Sequence, residues 1–418
     1  MFVVTEYSRR GSRFDNEMNN SHPNRERMPP PIISAVPSAY VEGYAIARLS
    51  NATVADQYIR HTFIGDPLLD PIMEELADLD PPKMHKFIGA GISGNEDQLR
   101  YAPESLRLFF ASLEEPDWVN HDDFLPGIRA FFANAGDTML GFLCGVLVEG
   151  FSTLIRKSFV MTGRVQYHPS SKRLKQNIRQ FLDIFLPNGL QVYNDGWKLS
   201  LRIRFVHSRV RILLNAYDDW DYDAWGTPVS AAHLGFAIAV FSAGMIEYAK
   251  RLGVRFTPQE KEGIMNIWRL SGDIMGIPGS ILYTNRAEAL ELRRIAKICE
   301  PAPDEDSVTM AHALLSSTTK TGDIEDEKEA AQLKKQVFSL SRALLGKEVA
   351  DMLNLPPNRL PGTLVGYRID RKIKKLTHHT RQDELQNFIR FLQASAYDEL
   401  GISYEMPDHV EFNKSSSW

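Results

Sequence analysis

Apolar and polar residues alternate along this chain with the period of an α-helix from about residue 40 onwards. Apolar positions recur at spacings of three and four, which places them on one helical face, and the two-residue alternation of a half-buried strand is scarce. The pattern predicts an all-α protein built as a helical bundle. Predicted helices lie at about 106–113, 124–135, 138–159, 171–186, 199–216, 228–252, 258–275, 331–353 and 381–400.

Two of these segments carry additional signals. Thr257 suits the N-cap of the helix from 258, Pro258 suits its first position, and Glu260 completes a capping box, while Gly253 favours a stop just before it. The stretch 232–248 is apolar on nearly every face. We therefore expect it to be surrounded by protein on all sides.

Polar segments divide the chain into parts. Residues 1–40 are polar and are expected to form a disordered tail. Residues 41–315 are expected to form the main helical domain, and the polar, charged stretch 316–330 to form a loop or linker. Residues 331–410 are expected to form a helical segment that packs on the main domain.

Composition supports a globular protein and excludes some partners. The chain has 418 residues, of which 43% are hydrophobic and 24% are charged, so it can bury a sizeable core. Its net charge of −5 argues against a nucleic-acid-binding surface. Two cysteines, Cys144 and Cys299, cannot form a disulfide framework, which favours a reducing compartment.

No segment has the form of an export signal or a membrane span. The twin arginine Arg9-Arg10 is followed by polar residues rather than by the apolar region that an export signal requires. The longest apolar run, 138–148, is about half of the ~20 residues that a transmembrane helix needs. We therefore expect a cytoplasmic protein without a transmembrane segment.

Two motifs suggest chemistry that their context does not support. Residues 89–94 match the GxGxxG pattern of phosphate-binding loops, but no strand precedes them, and a flexible loop is the expected structure. The acidic cluster 218–223 is similar to a magnesium-binding motif, but Tyr222 occupies the place of the second aspartate. A turn is the expected structure there too.

A cationic stripe on one predicted helix is more informative. Arg204, His207 and Arg211 are spaced by three and four residues and so share one face of an otherwise largely apolar helix. Buried arginines require anionic partners, which could be acidic side chains, a phosphate or haem propionates. From the pattern alone, His207 is either a satisfied core histidine or the ligand of a haem iron.

An ordered set of motifs over about residues 60–280 resembles the oxygenase family typified by the fungal ER oxygenase MpaB and the bacterial rubber oxygenase. No single motif is specific, but their order along the chain is. The set comprises Gly65–Asp70, Thr162–Arg164, Arg173-Leu174, Asn177, Arg204–His207 with Arg211, Trp220-Asp221, Gly226, Pro228, Phe241-Ser242, Trp268-Arg269 and Met275–Ile277.

The resemblance implies an all-α fold with a globin-like core around haem b. His207 matches the family's proximal iron ligand. Arg204 and Arg211 would either neutralise the haem propionates or hold the histidine-bearing helix in place. The implied co-substrate is O₂, and the implied reaction is a dioxygenase-type cleavage of a C=C bond.

The distal side of the implied haem pocket carries the departures from the family. Arg173 matches a distal position, and Asn177 and Gln176 would line the pocket beside it. Gln176 and Asn177 stand where the rubber oxygenases carry a lysine and a threonine, which disfavours rubber as the substrate. Glu149 is the candidate for the distal acid or base, with a buried structural carboxylate as the alternative.

The sequence hypothesis is therefore a haem b-dependent oxygenase that acts on an apolar substrate such as an isoprenoid or another unsaturated lipid. Two other classes stay open. One is a non-catalytic haem protein, such as a sensor or a carrier. The other is a helical protein without a cofactor, in which Arg204 and Arg211 pair with acidic side chains.

Overall fold

A computed structural model of the protein describes residues 35–162, 179–321, 327–357 and 362–377. All regular elements in these residues are helical, which confirms the all-α prediction. The α-helices are Val41–His61, Asp70–Leu76, Pro81–Ser93, Glu96–Leu99, Glu104–Ala111, Leu125–Ala133, Ala135–Gly141, Leu147–Phe151, Ile155–Met161, Asp195–Asn215, Tyr222–Trp225, Ala231–Ala239, Met245–Arg251, Pro258–Ile274, Arg286–Cys299, Glu305–Thr321, Glu327–Leu345, Lys347–Met352 and Thr363–Thr377.

Two π-helical turns, Phe142–Val146 and Val240–Gly244, interrupt the two most apolar helical stretches. Such turns add one residue to a helical turn and re-aim the side chains around them. Here they place the rings of Phe142 and Phe241 5.5 Å apart, and Trp268 lies 5.3 Å from Phe241. The π turns therefore meet inside the aromatic part of the core.

The stretch Ala231–Arg251 has the length and hydropathy of a membrane-spanning helix. The helices His121–Ala133 and Ala135–Phe151 meet at an angle of 88°. Together they reach the length and hydropathy of a membrane-spanning helix only if the pair is counted as one span. In the protein, 83% of the apolar window of Ala231–Arg251 is buried. This burial agrees with the expectation that 232–248 is surrounded by protein. A helix buried in a protein core can be as apolar as a membrane-spanning helix.

The predicted start of the helix Pro258–Ile274 is confirmed. The Thr257 hydroxyl accepts a hydrogen bond from the Glu260 N–H at 3.2 Å, and the Glu260 carboxylate accepts one from the Thr257 N–H at 2.7 Å. These two reciprocal bonds form the capping box, with Pro258 in the first turn.

The expected loop at the GxGxxG motif is wrong. Residues 89–93 end the helix Pro81–Ser93, and Gly94 terminates it in the left-handed conformation with φ 71°. A Cβ on Gly91 would overlap the ring of Phe110, so this glycine permits a close helix contact. The motif reflects helix packing and capping, not a phosphate loop.

Two further predictions concern polar segments. The acidic cluster contains a turn as expected, and within it Asp221 caps the short helix Tyr222–Trp225 by accepting from the Ala224 N–H at 2.9 Å. Within the predicted loop 316–330, one helix continues to Thr321 and the next begins at Glu327. Polar residues such as Ser317 remain helical there because one face is buried.

The C-terminal part differs from the prediction. The predicted helix 331–353 consists of two helices, Glu327–Leu345 and Lys347–Met352, divided at Gly346. The helix Thr363–Thr377 was not predicted, and the predicted helix 381–400 lies outside the described residues. The helices from Val36 onwards belong to one packed unit.

Candidate functional site

The helix Asp195–Asn215, here called the histidine helix, carries the cationic stripe. It packs against the helices Asp70–Leu76 and Pro258–Ile274. The hydroxyls of Ser200 and Ser271 lie 3.1 Å apart and join it to the latter. Most of its residues are buried, as expected for a helix with apolar residues around most of its circumference.

Arg204 forms a two-point ion pair with Asp66. Its Nε donates to Oδ2 at 2.6 Å and its Nη2 donates to Oδ1 at 3.0 Å. Both side chains are buried. Burial alone would raise the pKa of Asp66, but the Arg204 guanidinium outweighs it and holds that pKa below its usual value. The carboxylate is therefore ionised in the folded protein.

Arg211 forms a second pair, with Asp70. Its Nε and Nη2 each donate to the carboxylate at 2.8 Å, and its Nη1 donates to the carbonyl of Val229 at 3.0 Å. The Ser208 hydroxyl also donates to Asp70, at 2.6 Å. All three guanidinium nitrogens of Arg211 thus have partners from this chain.

The segment Gly65–Asp70 positions both carboxylates. Asp66 Oδ1 accepts from the backbone N–H of Leu69 at 3.1 Å, and the Asp66 N–H donates to Asp70 at 2.8 Å. A Cβ on Gly65 would overlap the side chains of Asp70 and Arg211, so only glycine fits there. The sequence pattern indicated this segment as part of the family resemblance but did not identify Asp66 and Asp70 as the partners of the arginines.

His207 lies between the two arginines on the stripe, half-buried and with a buried Nδ1 atom. Of the two roles that the sequence left open for Arg204 and Arg211, these contacts support the positioning of the histidine helix. A role of His207 in cofactor binding stays a prediction.

The predicted distal residues Arg173, Gln176 and Asn177 lie outside the described residues. Their roles therefore stay predictions of the resemblance.

Glu149, the remaining distal candidate, is a buried carboxylate with several partners. Arg293 donates to both of its oxygens, at 2.8 and 2.6 Å, and the Tyr248 hydroxyl donates at 2.6 Å. Lys297 lies 3.5 Å away. Burial would raise the pKa of Glu149, but Arg293 and Lys297 outweigh it and hold that pKa below its usual value. These contacts support the structural alternative over an acid–base role.

Replacing Glu149 by glutamine is expected to lower the free energy of unfolding at pH 7 by roughly 3 kcal/mol, because the amide cannot neutralise Arg293. The folded pKa lies below the unfolded value of 4.5. The stabilisation is therefore complete above that value and is lost as the pH falls through the folded pKa. Urea unfolding at pH 7 and near pH 4 measures both effects.

A matched control is Glu74→Gln at an exposed position, which should change stability by less than about 0.5 kcal/mol. If Glu149→Gln were as stable as the parent at pH 7, the ion-pair interpretation of Glu149 would be wrong.

Comparisons with known proteins show a related fold and a family for this chain. Latex clearing protein LCP in the closed state has a similar structure, with a TM-score of 0.64 at 18% identity over 82% of this chain and 94% of that chain. At this identity the likeness concerns the fold. No curated protein matches the chain.

A family model described as the catalytic domain of ER-bound oxygenase mpaB/B' and rubber oxygenase matches residues 129–368, more than half of the chain. The match includes the histidine helix and extends beyond residue 280, where the sequence resemblance was expected to end. It begins after the segment Gly65–Asp70. The chain therefore belongs to the MpaB and rubber oxygenase family of oxygenases.

Proposed function

We propose that the protein is a haem b-dependent oxygenase that oxidises an apolar, unsaturated substrate such as an isoprenoid lipid, with His207 as the proximal iron ligand. Membership of an oxygenase family supports the reaction class. The observation that carries the proposal is the position of His207, centred on a buried helix that two ion pairs hold at Arg204 and Arg211.

The donor groups around His207 are compatible with haem. A haem needs one protein ligand, and an imidazole serves as that ligand in its neutral form. Among residues 35–162, 179–321, 327–357 and 362–377, no group of three or more His, Cys, Asp or Glu side chains is placed to hold a metal ion by itself. Asp66 and Asp70 are engaged by the arginines and so do not compete for the iron.

When bound, the haem iron supplies the place where O₂ is activated. His207 provides the proximal nitrogen, and the ion pairs of Arg204 and Arg211 fix the rotation of the histidine helix. Arg173, with Gln176 and Asn177, would line the distal side, where a cation can orient O₂ or stabilise developing negative charge. Cleavage of a substrate C=C bond is the reaction that we propose there.

The visible spectrum of the purified protein tests the haem assignment. The parent protein should show a Soret band, and His207→Ala should lose it, while added imidazole should restore it by filling the space of the missing side chain. His312→Ala is the matched control, because His312 is also half-buried and its ring pairs with the carbonyl of Leu353. A Soret band unchanged by His207→Ala would eliminate this ligand.

O₂ consumption separates an oxygenase from a non-catalytic haem protein. The haem-loaded protein should consume O₂ with unsaturated isoprenoid lipids and not with their saturated counterparts. Haem binding without such consumption would favour a sensor or carrier. Absence of any haem binding would favour the cofactor-free alternative.

A further inference from the structure

The helix Thr363–Thr377, here called the basic helix, exposes an apolar stripe. Val365, Ile369 and Ile373 are 56%, 54% and 55% exposed. They are spaced by four residues and therefore share one helical face. The opposite face contacts the protein, where the Tyr367 hydroxyl donates to Asp137 at 2.7 Å. The stripe therefore faces away from the core.

The basic helix is also strongly cationic. It contains five Lys or Arg residues and one Asp, a net charge of +4, in a chain whose net charge is −5. Beside it lies a cleft of about 640 Å³. The cleft is lined by Lys250, Gly253, Val254, Arg255, Phe256, Lys261, Arg368, Arg371 and Lys372, with no acidic residue among them.

Some of these cations are engaged within the protein. Arg371 pairs with Asp137 and donates to the carbonyl of Gly253, and Lys250 pairs with Glu247 at 3.1 Å. Arg255, Lys261 and Lys372 form no salt bridge with an acidic side chain of the residues that the structure describes. Three cations without a salt bridge thus line the cleft.

The two features together match an anionic membrane surface. An interfacial helix places an apolar face among the acyl chains and basic residues among the headgroups. The stripe is a single row of three exposed side chains on one helix, whereas a helical or peptide partner would dock in a groove. The cleft beside it has the charge that a phosphate group requires.

We propose that the basic helix and the cleft form a docking surface for a bilayer that contains anionic phospholipid. Val365, Ile369 and Ile373 enter the interface, and Arg255, Lys261 and Lys372 bind lipid phosphates. This surface is independent of His207 and of the proposed haem chemistry.

Vesicle flotation with the chain of residues 1–418 tests the proposal. The probes are vesicles of pure phosphatidylcholine and vesicles of phosphatidylcholine mixed with phosphatidylserine. The protein should float with the mixed vesicles and not with the neutral ones. Raising the ionic strength should weaken the binding, because salt screens the attraction of the cations to the surface.

Substitutions separate the apolar contribution to vesicle binding from the electrostatic contribution. The pair Val365→Ser and Ile369→Ser should weaken vesicle binding by roughly tenfold through lost apolar burial. Lys372→Ala and Arg255→Ala should each weaken it by about fivefold. Circular dichroism checks that every variant is folded.

Two controls lie on other surfaces. Leu49→Ser removes an apolar side chain that is 90% exposed on the helix Val41–His61, and Arg100→Ala removes an exposed cation beside Asp97. Neither should change vesicle binding, because neither residue belongs to the proposed surface.

Three results would overturn the proposal. The first is an absence of binding to anionic vesicles at low salt. The second is full competition by inorganic phosphate together with unchanged binding by the serine variants, which would identify a site for soluble phosphate. The third is a fall in the molecular mass of the protein in solution when Val365 and Ile369 become serine, which would identify an interface between copies of the chain.

Discussion

Asp70→Ala is expected to lower the free energy of unfolding by roughly 3 kcal/mol, because it leaves the buried guanidinium of Arg211 without its counter-ion. Arg211 is 2% exposed, and two of its three nitrogens donate to Asp70. The same change removes the acceptor of Ser208. Urea unfolding followed by circular dichroism measures the loss.

A double-mutant cycle with Arg211→Met isolates the pair. The double variant should be less destabilised than the sum of the two single variants, because replacing both partners removes the uncompensated charge. Asp97→Ala is the matched control at an exposed pair with Arg100 and should cost less than about 0.5 kcal/mol. Additive losses in the cycle would show that Asp70 and Arg211 do not act as a pair.

The cationic face of the histidine helix could be predicted from the sequence, because which residues share a helical face depends only on their local spacing. Positions 204, 207 and 211 share a face in any α-helix, and the apolar residues around them require burial. Elementary electrostatics also required an anion opposite the two arginines. All of these inferences need only a few neighbouring residues.

The identity of that anion could not be predicted in the same way. Asp66 and Asp70 lie 138 and 141 residues before Arg204 and Arg211 in the chain. No local period relates positions so far apart, and acidic side chains are common in the sequence. A partial signal was present in Gly65–Asp70, whose two aspartates are four residues apart and pair in the same chain order with two arginines that are seven residues apart.

The structural roles of the glycines were the least predictable from the sequence. A glycine can be required either by a positive φ angle or by a close packing contact, and the sequence does not distinguish the two. Residues 89–94 matched a loop motif, although Gly91 serves the contact with Phe110 and Gly94 ends the helix. The π turns at Phe142–Val146 and Val240–Gly244 had no local signal either. For Gly91 the determining partner, Phe110, belongs to another helix.

Gly276→Ala is expected to destabilise the protein by about 3 kcal/mol or more, since it combines backbone strain with overlap at a buried ion pair. Gly276 has φ 78°, a conformation that side-chain-bearing residues rarely adopt. A Cβ there would overlap Arg204 and Asp66 at once, so the bidentate pair would have to separate. Thermal unfolding and, where haem binds, the Soret band of the same sample measure the result.

Two other glycines separate the causes of this loss. Gly279→Ala introduces a Cβ into open space and should be nearly neutral, whereas Gly346→Ala introduces strain alone, at φ 91° with no atom within 4 Å, and should cost roughly 1–3 kcal/mol. Gly276→Ala should exceed both, because it also disturbs the pair that positions the histidine helix. If Gly276→Ala costs no more than Gly346→Ala, the Arg204–Asp66 pair tolerates displacement, and the histidine helix must be held mainly by Arg211 and Asp70.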